Sequence, residues 1–337
     1  MLMISKQYLL NAVYATSTIL DLLRNIQRQQ VFLKSSLIKE VEASRKTNDK
    51  SLTEKDFNKI TYYYGLGGPA ITGEAFCLLR GQKMSLKERY AISYQAAITG
   101  LFDDFFDERD LPAYELKAFL EYPEQAKARN THEQLFLKFY QQALAYATDK
   151  GLVKYYLNQG LEAQVWSKRQ MSSGLSEDEV QKITLSKGGA FLLIYRSMFS
   201  HQMGKKEEEM LYQMGGLLQL GNDIFDVYKD YLAGIQTLMT IATKVDEVRL
   251  KFLLLMEKTY SLAHKTNYPS RNVYAFLRYM SMFICRTFVC LDMLEKNEAL
   301  TNGVFMLDKY RREQLICDME NPINILKSIN YHLNCQL

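Results

Sequence analysis

The sequence predicts an all-α protein, and two observations carry this prediction. Five prolines and 17 glycines in 337 residues are few helix breakers for a chain of this length. No segment alternates apolar and polar residues in the way a half-buried strand does. We therefore expect one helical domain, residues 1–337, built as a helical bundle.

The predicted helices follow one another with short breaks. Residues 5–34 read as one or two amphipathic helices, and the charged, Ser- and Asn-containing segment 39–59 predicts an exposed connection. Gly65-Leu66-Gly67-Gly68-Pro69 predicts a break before a helix at 70–79. A long helix at 86–108 ends before Pro112, which cannot continue it. The remaining predicted helices cover 115–122, 131–149, 151–171, 177–202, 206–231, 236–262, 270–296 and 308–333.

Composition excludes several classes of function. The net charge is only +4 and no Lys/Arg tract occurs, which excludes a strongly basic nucleic-acid-binding surface. Five cysteines without a CxxC pair and four isolated histidines predict neither a zinc site nor a disulfide framework. Buried free thiols fit a reducing compartment, so we expect a cytoplasmic protein. Polar residues interrupt the first 23 positions, and no run of 18 apolar residues occurs. Neither a signal peptide nor membrane insertion is therefore expected.

Two acidic clusters lie inside apolar helical stretches. The first contains Asp103, Asp104 and Asp107, and follows Ala96 to Phe102. Positions three and four apart share a helix face, so Asp103 and Asp107 point the same way. Aspartate is a poor residue for a helix interior and is costly to bury without a partner or cation. These carboxylates therefore predict a cation site on the face that they share.

The second cluster follows an equally apolar stretch, Gly215 to Gly221. Asn222, Asp226 and Asp230 form an i, i+4, i+8 stripe, and Asp223 points away from it. Acidic residues at helical spacing are usually a solvated face, but two clusters with apolar flanks favour one cavity with two acidic walls. Oxygen-only ligands are typical of Mg²⁺, which substrate phosphates commonly complete.

These motifs resemble the class I isoprenoid synthase superfamily, which contains terpene synthases and trans-prenyl diphosphate synthases. Asp103-Asp104-Phe105-Phe106-Asp107 is similar to its first DDxxD motif. Gln219 to Val227 is similar to the second aspartate-rich motif of the prenyl synthases, with Asn222 at its first acidic position. Lys187-Gly188-Gly189-Ala190-Phe191 resembles their lysine-containing motif. The resemblance implies an all-α bundle with a central apolar cavity that binds a prenyl diphosphate.

Departures from the prenyl-transferring branch favour the terpene synthases. That branch binds isopentenyl diphosphate with a basic Gly-Gly-Lys-x-Arg segment, whereas this chain has Gly67-Gly68-Pro69-Ala70. The paired arginines expected after the first motif are reduced to Arg109. Holding two diphosphates in a partly dry cavity requires cations for both. We therefore expect a magnesium-dependent terpene synthase, a lyase of isoprenoid biosynthesis that ionises one allylic diphosphate.

The resemblance implies roles for particular residues. Asp103, Asp104 and Asp107 on one wall, and Asn222, Asp226 and Asp230 with Asp223 on the other, would hold about three Mg²⁺ ions with the diphosphate. The basic candidates for diphosphate contact are Lys187, Arg169, Arg196, Lys229 and Arg311. The candidate apolar and aromatic walls of the substrate pocket are Thr99, Phe102, Phe106, Trp166, Phe191 and Tyr195.

The size of Thr99 sets the expected substrate length. In the prenyl synthases that the chain resembles, residues just before the first motif form the floor of the substrate pocket, and bulky ones shorten the product. Because neither Thr99 nor Ile98 is aromatic, the resemblance implies a deep pocket and a C15 or C20 substrate. Two other functions stay open: a trans-prenyl diphosphate synthase that condenses its substrate with isopentenyl diphosphate, and a catalytically silent helical partner subunit. A homodimer is left open as the assembly.

Overall fold

A computed structural model describes residues 6–107, 109, 111–172 and 174–337, with the side chains of Lys6, Gln7 and Asp107 outside the description. The described residues contain helices and no strand, which confirms the predicted all-α class. The chain forms two compact units. One consists of residues 6–18, 166–192 and 204–337, here called the C-terminal unit; the other consists of 19–165 and 193–203, here called the N-terminal unit. The expectation of a single domain stays a prediction.

Up to residue 167, the described α-helices are α1 (Lys6–Ser35), α2 (Leu37–Lys46), α3 (Glu54–Asn58), α4 (Gly65–Gly67), α5 (Glu74–Arg80), α6 (Leu86–Asp107), α7 (Ala113–Glu121), α8 (Thr131–Tyr146) and α9 (Lys150–Ser167). Those that follow are α10 (Glu177–Ser197), α11 (Lys205–Phe225), α12 (Val227–Leu232), α13 (Val245–His264), α14 (Ser270–Ile284), α15 (Arg286–Leu300), α16 (Arg312–Leu315) and α17 (Pro322–Asn334).

The exposed connection predicted at 39–59 is wrong, because α2 and α3 lie there. Leu37 and Val41 of α2 are fully buried and anchor that helix despite its charged surface. Thr53 starts α3 with a capping box, in which its hydroxyl accepts from the Asp56 N–H and the Asp56 carboxylate accepts from the Thr53 N–H.

The predicted break at Gly65–Pro69 is also wrong, because the helix continues through it in two π-helical turns, Lys59–Tyr64 and Gly68–Gly73. Pro69 has no N–H to give to the ordinary helical bond, and the wide turn accommodates this loss. Gly68 has no Cβ, which would lie 2.7 Å from the Ala96 Cβ, so the helix passes close to α6.

Two predicted C-terminal helices are shorter or divided. Residues 236–244 form turns before α13, where the Thr237 N–H donates to the Thr240 hydroxyl at 2.7 Å. The helix predicted over 308–333 is divided into a 3₁₀ turn at Leu307–Lys309, α16 and α17. Pro322 occupies the first turn of α17, where its missing N–H costs nothing, and the Asn321 side chain caps that helix.

Each unit has its own core, and each core holds one acidic motif at a helix end. In the N-terminal unit α6 packs along α8, where the rings of Phe105 and Phe136 meet edge to face at 5.0 Å. In the C-terminal unit α11 packs along α13, and Phe252 is fully buried. Apolar burial of this kind holds α6 and α11 in place and so orients the carboxylates that they carry.

Candidate functional site

The second acidic motif spans the junction between α11 and α12. The Asp226 N–H donates to the Asn222 carbonyl at 2.8 Å, and the Asp230 N–H donates to the Asp226 carbonyl at 2.9 Å. These bonds carry helical spacing across the junction, so the three residues follow one stripe as the sequence predicts. The Asn222 Nδ2 lies 3.4 Å from Asp226 Oδ2, so the amide nitrogen faces that carboxylate.

A close crossing of α10 and α11 positions Lys187 beside this motif. A Cβ on Gly188 would lie 2.1 Å from the Gly215 carbonyl oxygen, so the two backbones touch without side chains between them. The crossing brings the Thr184 hydroxyl to 3.0 Å from Asp223 Oδ2 and the Lys187 ammonium near the same carboxylate. The glycines of the lysine motif therefore allow α10 to approach α11 so closely that Thr184 and Lys187 lie near Asp223.

Asp223 is already hydrogen-bonded through both of its oxygens. Gln219 Nε2 donates to Oδ1 at 2.8 Å, and Thr184 donates to Oδ2. Burial raises the pKa of Asp223 above its usual range, and the Lys187 charge opposes this rise. Among the predicted ligands of the second motif, Asp223 is the one whose surroundings least favour direct contact with a metal.

Asp230, unlike Asp223, is buried without a hydrogen bond from a described side chain. It is only 8% exposed, and no described side chain donates a hydrogen bond to it. Burial, followed by the charges of Asp223 and Asp226, raises its pKa to about 7. A buried carboxylate beside two others is costly unless a cation neutralises it. Asn222 Oδ1, Asp226 and Asp230 supply only oxygen donors, which are the ligands that Mg²⁺ prefers, so these residues fit the predicted ion.

The first acidic motif lies at the end of α6 in the N-terminal unit. Gln164 Nε2 of α9 donates a short hydrogen bond to Asp103 Oδ1. The Lys59 ammonium lies 3.3 Å from Asp104 Oδ1 and also 3.8 Å from Asp56. Asp104 is buried, whereas Asp103 is partly exposed. The side chain of Asp107 lies outside the described residues.

Sequence reasoning did not find the residues that surround this motif. Tyr64 lies against α6 because Gly100 leaves room for its ring, with a Cβ position on Gly100 only 3.0 Å from Tyr64 Cε2. Burial, and then the negative charge of Asp103, raises the pKa of Tyr64 well above its usual range. Lys59 and Tyr64 belong to the π-helical turn, in which residues five apart bond, so no α-helical spacing could have paired them. Gln164 is one of several polar residues of α9, so its position in the sequence did not single it out.

The basic candidates other than Lys187 differ in their surroundings. Arg169 is 54% exposed and pairs with Glu179 at 3.0 Å. Arg196 is fully buried in the N-terminal unit, where Nη1 donates to the His201 carbonyl at 3.0 Å. Lys229 is mostly exposed and lies 3.7 Å from Asp226. Arg311 is exposed. Of these four, Lys229 alone has a described partner within an acidic motif.

The pocket candidates of the N-terminal unit lie along α6 and the end of α10. The hydroxyls of Thr99 and Tyr195 are 2.9 Å apart, and Gly68 lies beneath the Tyr195 ring. Phe102 and Phe106 are buried with their ring centroids 5.6 Å apart. Trp166 and Phe191 are partly exposed and belong to the C-terminal unit.

Within the described residues, no group of three or more His, Cys, Asp or Glu side chains is close enough to hold a metal ion. A cavity of about 530 Å³ lies in the C-terminal unit, and none of its described lining residues belongs to either motif. The central cavity with two acidic walls stays a prediction.

One described helical stretch, Ser270–Leu300, is long and apolar enough to cross a membrane, with a mean hydropathy of 1.3 in its most apolar window. Because 67% of that window is buried inside the protein, a core helix would give the same result.

Comparison with known proteins adds no relative to this picture. No protein-family model matches the chain, and no curated protein matches it.

Proposed function

We propose that the protein is a class I terpene synthase. In this reaction an allylic prenyl diphosphate of C15 or C20 length loses its diphosphate and forms a terpene hydrocarbon or alcohol. The observation that carries the proposal is Asp230, a buried carboxylate with raised pKa and no hydrogen-bond donor among the described side chains. Its neighbours at helical spacing, Asn222 and Asp226, present further oxygen atoms, and this arrangement favours a hard divalent cation.

Each group of residues has its own role in the proposed reaction. Asn222, Asp226 and Asp230 would hold Mg²⁺ in the C-terminal unit, and Asp103, Asp104 and Asp107 would hold it in the N-terminal unit. When bound, Mg²⁺ neutralises charge on the departing diphosphate. Asp223, held by Gln219 and Thr184, attracts the Lys187 ammonium and thereby positions it.

Lys187 supplies the charge that we assign to the diphosphate. Lys187 is partly exposed, so it remains accessible to a ligand, and its charge is close enough to Asp223 to oppose the rise that burial causes in the pKa of that carboxyl group. Charge-assisted hydrogen bonds to phosphate oxygens are about twice as strong as neutral ones. The buried rings of Phe102 and Phe106 exclude water on α6 beside Asp103, which protects a carbocation from early capture.

The test is incubation of the full chain and Mg²⁺ with farnesyl or geranylgeranyl diphosphate, with and without isopentenyl diphosphate. A hydrocarbon or alcohol from the allylic substrate alone supports the proposal. A longer diphosphate formed only in the second mixture identifies a prenyl diphosphate synthase, and no consumption in either mixture favours a silent partner subunit.

Three variants sharpen the result. Asp103→Ala and Asn222→Ala should each abolish turnover with little change in helix content. Asp246→Asn, on the exposed first turn of α13, is the matched control and should retain full turnover. Near-normal turnover by either motif variant would contradict the assignment of two metal-binding motifs.

A further inference from the structure

The cavity of about 530 Å³ in the C-terminal unit has an apolar floor. It is enclosed by α13, by the junction of α14 and α15, and by the end of α17. The floor consists of the buried lining residues, each at most 8% exposed, which are Met256, Tyr260, Cys285, Phe288 and Cys335. The volume lies within the range of roughly 300–1,000 Å³ that is typical of small-molecule sites. The cavity is therefore large enough for a ligand with an apolar body.

The rim of this cavity is polar. It consists of the exposed lining residues, which are Glu257 on α13 and Asn334 and Gln336 at the end of α17. Leu253, which is partly exposed, lies one helical turn before Glu257, so the two side chains share a face of α13. A ligand whose apolar body contacts Leu253 therefore has its other end within reach of the Glu257 carboxylate. The division into a buried apolar floor and an exposed polar rim fits an amphipathic molecule.

Arg249 is the basic residue among the described lining residues, and two carboxylates already neutralise it. Its Nη2 donates to Asp292 Oδ1 at 2.8 Å, and its Nε donates a short hydrogen bond to Glu295 Oε1. The Tyr331 hydroxyl donates to the same Asp292 oxygen at 2.7 Å. One positive and two negative charges leave this group with an excess negative charge. Arg249 therefore does not make the cavity attractive to an anion.

Two further features favour a cation. Glu257 makes no ion pair or hydrogen bond with any described residue, so its charge at the rim is available to a ligand. Aromatic rings line the cavity, and Phe288 and Tyr331 stack with their centroids 5.1 Å apart. The Arg249 guanidinium lies 5.8 Å from the Phe288 centroid, which shows that this ring already attracts one cation. The lining thus combines apolar surface, ring faces and excess negative charge.

Hydrogen bonds between helices hold the walls of the cavity in place without a ligand. The Tyr331 hydroxyl joins α17 to Asp292 of α15, and Arg249 joins α13 to the same carboxylate. Asn11 Nδ2 donates to the Cys335 carbonyl at 2.9 Å and so fixes the segment after α17. A site that is already formed loses little free energy to ordering when a ligand binds.

We propose that this cavity binds a hydrophobic ammonium ion, which is a molecule with an apolar body and one protonated amine. The apolar body contacts Met256, Tyr260 and Phe288 on the floor, and the ammonium lies at the rim beside Glu257. An anion of the same shape would meet Glu257 and the negatively charged group around Arg249, so its binding would be weakened. None of the lining residues belongs to either acidic motif, and the site is therefore distinct from the one assigned to the diphosphate.

The test is calorimetric titration of the full chain with three probes of equal chain length, which are octylammonium, octanol and octanoate. The titrations are done at pH 7 in EDTA and without diphosphate, so their result is independent of the proposed reaction. We expect octylammonium to bind about tenfold more tightly than octanol, and octanoate to bind more weakly than octanol. Any other order of affinities, or no binding of octylammonium, would overturn the proposal.

Variants locate the bound probe. Leu253→Trp should fill the cavity and abolish octylammonium binding, whereas Leu254→Trp, at an exposed neighbour, should leave it unchanged. Glu257→Gln changes only an exposed side chain and should weaken octylammonium binding about fivefold without affecting octanol. Glu247→Gln, exposed on the same helix, is the matched control and should affect neither probe. Wild-type affinity for octylammonium in a folded Leu253→Trp or Glu257→Gln variant would contradict the assignment.

Discussion

The Thr184 hydroxyl donates a 3.0 Å hydrogen bond to Asp223 Oδ2 and thereby joins α10 to α11 at a buried carboxylate. This bond exists because Gly188 and Gly215 let the two backbones touch. It connects the lysine motif to the second acidic motif within one unit. The position of Lys187 therefore depends on a hydroxyl one helical turn before it in the sequence.

Loss of this hydroxyl should destabilise the fold. Thr184→Val removes a donor to a buried acid, and we expect it to lower the free energy of unfolding by about 1–3 kcal/mol. Urea unfolding in EDTA measures the change. Thr259→Val is the control, since that buried hydroxyl donates to the neutral Leu255 carbonyl and should cost less. Equal losses in the two variants would show that Asp223 does not depend on Thr184.

The glycine crossing makes a second prediction. Gly188→Ala places a Cβ against the Gly215 carbonyl oxygen, so the helices must separate, at a cost of about 1–3 kcal/mol or more. Thermal unfolding checks this expectation. Gly204→Ala meets no atom within 4 Å and should change Tm by much less. A Gly188→Ala variant as stable as Gly204→Ala would exclude a close backbone contact there.

Asp230 should give the metal-free protein a specific pH dependence. Its folded-state pKa of about 7 exceeds the ordinary value of 3.8, so the folded state binds more protons between these values. Stability from this group therefore falls as pH rises from 3.8 to 7. Relative to wild type, Asp230→Asn should gain about 1–3 kcal/mol between pH 4 and pH 8 in EDTA.

Denaturant unfolding across this range measures the effect of Asp230→Asn. The exposed Asp246→Asn variant should show no comparable gain over the wild type. A wild type and an Asp230→Asn variant with parallel pH profiles would mean that Asp230 is not a buried, electrostatically crowded carboxylate.

His132 should have the opposite effect and make the folded protein less stable as the pH falls. It is fully buried against the Phe105 ring at 4.6 Å, and burial, followed by the charge of Arg109, lowers its pKa to about 3. Between pH 6.5 and 3 the unfolded state binds a proton that the folded state does not, so stability falls as pH falls. This loss is at most about 1.4 kcal/mol per pH unit. His132→Leu should remove it, whereas substitution of the exposed His264 by Leu should not.

Lys187→Gln tests the proposed diphosphate contact without an activity assay. Removal of this charge should weaken binding of inorganic diphosphate at least tenfold, since a charge-assisted contact contributes about 1.5–3 kcal/mol. Calorimetry in Mg²⁺ measures the affinity. Lys182→Gln, on the exposed surface of the same helix, should leave it unchanged. Equal affinities for the wild type and Lys187→Gln would show that Lys187 does not contact the diphosphate.

The helical class was predictable because it follows from pattern and composition, which are local properties. The stripe of Asn222, Asp226 and Asp230 was predictable for the same reason, since backbone bonds keep its spacing. The depth of Asp230 was not, because burial depends on which helices cover it. The Thr53 capping box was readable in the sequence and would have corrected the connection predicted at 39–59.

The two π-helical turns between Lys59 and Gly73 affect how this segment aligns with other sequences. The Gly65 N–H bonds back to the Ile60 carbonyl, and the Glu74 N–H bonds back to Pro69, so each turn holds one residue more than an α-helical turn. Deleting one residue from the first turn would rotate Tyr64 by about 100° and carry it away from Asp103. An alignment with a relative that has an uninterrupted helix here would need a gap inside that helix, at the place where Lys59 and Tyr64 reach the first acidic motif.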